Sequence, residues 1–138
     1  MFIIVNQSRR KESVVQFLDN LSKLQSDVIA WCNKQNKRKD NYGLIDLYNT
    51  VKSAYVYAFM ANDIFIKTKE QLDERTLYFD KSIKSLKAFG YELTSLINSK
   101  TFNIKDSRVG RWCHYANSAS KQMSNIQKSD KRRFTKLV

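Results

Sequence analysis

The chain contains no proline and only three glycines, so over its 138 residues the strongest helix breaker is missing and the next strongest is scarce. Two cysteines, Cys32 and Cys113, and a single histidine, His114, are too few for a disulfide framework or a metal cage. Both cysteines read as small apolar fillers, and a reducing compartment fits them. No apolar run approaches the ~18 residues of a membrane span, and the opening five residues are too short for a signal-peptide core. The expectation is therefore a cytoplasmic protein with no membrane partner. Catalytic signatures are absent too: there is no DxD, HExxH, GxSxG or CxxC, which predicts a non-enzyme with no catalytic residue, no metal and no cofactor.

Acid is scarce in one region above all. Residues 100–138 hold ten Lys or Arg against Asp106 and Asp130, contributing +8 of the net +12. Solubility does not require that bias, so a phosphate-rich partner is the first class to consider, ahead of an acidic protein surface or an anionic membrane.

What is present is helical periodicity. Val14, Phe17, Leu18, Leu21, Leu24, Val28, Trp31 and Cys32 recur at three- and four-residue steps, predicting a helix over 13–33. Residues 34–43, KQNKRKDNYG, read as a loop. Leu44, Leu47, Val51, Ala54, Tyr55, Ala58, Ala61 and Phe65 predict a second helix over 44–67, its alanines permitting close approach of a neighbour. Thr68 and Gln71 have capping-box spacing, opening a third helix that carries Leu72, Phe79, Ile83, Leu86, Phe89, Leu93 and Leu96 to about residue 99. Gly90 within it suggests tight packing. Asn103 is the expected cap of a fourth helix, with Val109, Trp112, Ala116, Ala119, Met123 and Ile126 on its core face and Arg108, Arg111, Lys121 and Lys128 on the other side.

The fold class is thus all-α, an antiparallel up-down four-helix bundle with helices ~35 Å long. The domain division is an N-terminal extension over 1–12, read as a short strand or an intersubunit contact, the bundle over 13–128, and a flexible basic arm over 129–138. The candidate nucleic-acid contacts are Arg108, Arg111, Lys121, Lys128, Lys131, Arg132 and Arg133. Tyr57 and Tyr115 fall off the apolar stripes and could stack on bases. Tyr57, Met60 and Ile64 also suggest a second buried face on helix two, closed by self-association.

Two resemblances bear on function. The order of features over 40–133 is similar to the four-helix bundle family of accessory variability determinant proteins of diversity-generating retroelements, and to related proteins encoded in intervening sequences of 23S ribosomal RNA genes. It rests on residues 40–47 opening helix two, Ala61-Asn62 near its end, Asp73-Glu74-Arg75 opening helix three, residues 82–86 within it, and the basic end of helix four. Where members often show a Gly-Arg pair and a later Trp, this chain has Ser120-Lys121 and Ile126, so Lys121 is the one matching motif cation. The resemblance implies a ring-like homopentamer that binds a reverse transcriptase and template RNA or cDNA and has no catalytic activity of its own. Separately, Arg108 and His114, with five residues between them, resemble the catalytic motif of HEPN ribonucleases. That gives a rival reading as the ribonuclease of a toxin-antitoxin or defence system, and a ribosomal-RNA-associated bundle protein is a third.

Overall fold

The computed structural model describes residues 2–35 and 42–137, with side chains from 16 to 35 and from 44 to 136. Four α-helices make up the fold: α1 (Phe2–Gln35), α2 (Tyr42–Asn62), α3 (Lys69–Ser99) and α4 (Asp106–Leu137). Each packs on its neighbours in sequence, and α1 closes the square against α4. Side-chain pairs fix the directions. Cys32 near the end of α1 meets Leu44 at the start of α2; Ala54 and Ala61 of α2 meet Ser82 and Arg75 of α3; Arg75 and Asp80 of α3 meet Asp130 and Gln127 of α4; and Asn20 and Asp27 of α1 meet Gln122 and Arg111 of α4, so every neighbour is antiparallel.

The apolar stripes account for the core. Phe17, Leu21, Leu24, Val28, Trp31 and Cys32 of α1 are buried against Leu44, Leu47, Val51, Ala54, Ala58 and Ala61 of α2 and the Leu/Phe stripe of α3. Trp112 of α4 is wholly buried, edge-on to Trp31 with centroids 5.8 Å apart and tilted against Phe89 at 6.2 Å. Full burial of one such side chain stabilises by about 1.5–3 kcal/mol. Between α2 and α3 the small residues allow close approach: buried Ser82 donates its hydroxyl to the Ala54 carbonyl at 2.6 Å, which satisfies a polar group that would otherwise be costly there.

The capping box at α3 forms as its spacing predicts: Thr68 Oγ1 accepts from the Gln71 amide at 3.2 Å, and Gln71 Oε1 accepts from the Thr68 amide at 3.0 Å. Other boundaries differ from expectation. Ile64 and Phe65 lie beyond α2, which ends at Asn62, and Phe65 is 76% exposed. Asn103 does not cap α4, because the first helical carbonyl is that of Lys105, accepting from the amides of Arg108 and Val109. Gly90 makes no close approach, since a Cβ built there meets nothing within 4 Å.

Both ends of the chain are more helical than expected. The stretch read as a strand or extension is the beginning of α1, and the stretch read as a flexible arm is the continuation of α4 through Leu137. With 34 and 32 residues, α1 and α4 reach about 50 Å rather than ~35 Å. The central part of the loop expected over 34–43 falls on residues 36–41, outside the described residues.

Candidate nucleic-acid interface

At about 100° per residue, Lys121, Lys128 and Arg132 fall within about 40° of one another on the side of α4 opposite Trp112 and Met123. All three are exposed, and the row from Lys121 to Arg132 is about 16 Å long at 1.5 Å per residue. Lys131 and Arg133 flank it, also exposed. Among the described residues none of these five cations makes an ion pair.

The one acid in this half of the helix is turned away. Asp130 is buried, with Oδ2 accepting from Arg75 Nε at 2.7 Å and Oδ1 from Nη2 at 3.5 Å. The same guanidinium sends Nη1 to the carbonyls of Ala61 and Ile64, both at 3.3 Å, and lies 5.1 Å from the centre of the Phe79 ring. The exposed surface of α4 from Lys121 to Lys136 therefore carries no carboxylate.

Arg108 and Arg111 belong to a different face, so the single basic side expected from the sequence divides in two. Both turn toward α1. Arg111 donates through Nε and Nη2 to Asp27 Oδ2 at 3.1 and 2.8 Å, and the Trp112 indole N–H donates to the same oxygen at 2.7 Å. Partial burial alone would raise the Asp27 carboxyl, but hydrogen bonds from Arg111 and Trp112, with the charges of Arg111 and Arg108, outweigh it and hold the group below the usual carboxylate range. Arg111 thus ties α4 to α1 and carries a neutralised charge. Arg108 is half-buried, its Nε without a partner among the described protein atoms.

The aromatic candidates are also partly engaged. Tyr57 stacks on Tyr78 with centroids 6.2 Å apart, and Lys81 Nζ lies within 6 Å of both rings. Tyr115 is half-buried against the core. His114 is exposed and, six positions from Arg108 on one helix, sits about 120° away around the axis. Burial pushes the Cys32 thiol up to about 11, which leaves it a poor nucleophile. Among the described residues no group of three or more His, Cys, Asp or Glu could hold a metal ion, and no helix is long and apolar enough to cross a membrane.

Sequence reasoning missed the Arg75–Asp130 pair. A signal existed: Asp130 lies 18 residues, five full turns, beyond Trp112, and so falls in the centre of the apolar sector where an acid needs a partner. The fold and this surface define an all-α four-helix bundle with an acid-free basic ridge. No family model, curated protein or solved structure matches the chain.

Proposed function

We propose that the protein is a non-enzymatic accessory subunit that holds RNA or cDNA through the outer ridge of α4. The observation that carries this reading is the inward turn of Asp130, which leaves Lys121, Lys128, Lys131, Arg132 and Arg133 as an exposed cationic row with no acid among them. Such a row tracks a phosphate backbone and reads no sequence, so the affinity it gives is general and salt-dependent. The resemblance to retroelement accessory proteins supplies the enzyme to which the nucleic acid is presented, a reverse transcriptase.

Self-association belongs to the same proposal. Ile45, Val56, Phe59 and Met60 are exposed along the outside of α2, interrupted by Lys52. Chains of net charge +12 repel across their basic surfaces, and this face is where two copies can approach with little charge between them. A closed ring of five is the number the resemblance implies.

Co-expression with the reverse transcriptase of the same locus tests the reading. The two should co-purify after nuclease treatment in high salt, and templated cDNA should be lost without this chain. Undiminished cDNA synthesis in its absence would remove the accessory role. Light scattering that gives a monomer at micromolar concentration would remove the ring.

A further inference from the structure

The α2–α3 connection is held at both ends. Arg75 grips the carbonyls of Ala61 and Ile64, while Gln71 Oε1 accepts from the amides of Lys67 at 2.7 Å and Thr68 at 3.0 Å. Between these anchors Phe65 stands 76% exposed, an aromatic ring that the fold does not use. The Lys67 ammonium lies 5.9 Å from its centroid. Beside it, where the connection meets the last turns of α4, opens a cavity of about 220 Å³. Phe65, Phe134 and the Ile64 and Ile66 side chains form apolar walls, the Arg75–Asp130 pair lines it as well, and Arg133 contributes a cation.

Three properties restrict the occupant. The volume is below the ~300–1,000 Å³ of sites for drug-sized ligands, so it suits one planar ring system rather than a whole nucleotide. The lining is polar as well as aromatic: part of Arg75 Nη2 and the outer lone pairs of Asp130 remain unspent, offering a donor and an acceptor side by side. An aliphatic guest would match the walls and leave that pair unmatched, whereas the edge of a base presents both partners. The approach is cationic, because Arg132 ends the row of α4 and Arg133, the next residue, lines the cavity.

We propose that this cavity receives one unpaired base of a single-stranded nucleic acid whose backbone follows the α4 ridge. The base stacks against Phe65, its polar edge faces Arg75 and Asp130, and its phosphate lies at Arg133. The inference rests on the nucleic-acid reading above and deepens it: the ligand class is single-stranded, because a duplex cannot offer a base without unpairing.

Phe65 is exposed enough to change without unfolding the bundle. Binding of a single-stranded RNA oligonucleotide carrying 2-aminopurine, and of a duplex of equal length, is measured for the wild type, Phe65→Ala and Phe65→Tyr. Phe65→Ala should weaken the single strand by about 5- to 100-fold, leave its salt slope and the duplex affinity unchanged, and relieve 2-aminopurine quenching; Phe65→Tyr should retain both the single-strand affinity and the quenching. If Phe65→Ala binds and quenches like wild type while Lys121→Glu with Lys128→Glu flattens the salt slope, the base site is overturned and the ridge stands. If the wild type binds neither probe, the ridge fails and the base site with it.

Discussion

Asp130 and Arg75 meet 55 positions apart in sequence, Oδ2 to Nε at 2.7 Å, with their side chains only 8% and 12% exposed. The pair fastens α4 to α3 and, through Nη1, to the connection that follows α2. Removing one member strands the other. Asp130→Ala should destabilise the fold by about 3–5 kcal/mol in urea unfolding, whereas Arg75→Met combined with Asp130→Leu should cost much less. Equal losses for the single and double variants would mean the charge pairing is immaterial.

Asp27 gives an acid dependence with a defined sign. Its folded carboxyl titrates below the unfolded value of about 3.9. Its contribution is therefore fully present above that value and is lost as pH falls through the lower folded one. Asp27→Asn removes this component, so the stability gap between wild type and variant should narrow on acidification from pH ~5 to pH ~2. A gap that stays constant over that range would separate Asp27 from the acid response.

Two backbone positions can be improved. Gly90 sits inside α3 with open space where a Cβ would go, so Gly90→Ala should stabilise by about 0.8–1 kcal/mol. Lys100 follows α3 at φ 57°, in the left-handed region, with its amide bonded to the Ile97 carbonyl at 3.3 Å. Lys100→Gly should add about 0.5–1 kcal/mol by relieving that conformation. Thermal melts that fall for either variant would contradict the geometry.

The split of the basic residues predicts unequal salt effects. Reversing Lys121, Lys128 and Arg132 together should flatten the slope of log affinity against log salt by about two units on single strands. Arg111→Ala should leave the slope nearly unchanged and lower stability instead, because Asp27 already neutralises that guanidinium. A large slope change from Arg111 alone would move the interface to the α1 side of α4.

The stripes that define the four helices, and the Thr68–Gln71 cap, were legible because burial and capping follow local spacing. The features that were not legible depend on partners distant in sequence. The stretch after Lys128 looked aperiodic because an acid, Asp130, occupies the core sector between Met123 and Phe134, and only Arg75 makes that placement tolerable. The apolar spacing runs on to Phe65, but the chain leaves α2 at Asn62, and the turn that follows is held from α3 by Arg75, whose guanidinium bonds the carbonyls of Ala61 and Ile64. Arg111 resembled its neighbours in charge, and only Asp27 across the bundle distinguishes it.

The square arrangement also orders the folding of the chain. α2 and α3 share the most extensive contact and are joined by a short connection, so their hairpin closes at small entropic cost. The seam between α1 and α4 joins residues more than eighty positions apart, as Asp27 and Arg111 illustrate, and forms late by the same argument. Trp31 and Trp112 meet edge-on across that seam, so intrinsic fluorescence reports its closure. The cationic row of α4 is tied to the same event: α4 follows the other three helices in chain order, so its exposed lysines and arginines take up their fixed positions only once α1 and α3 are there to receive it.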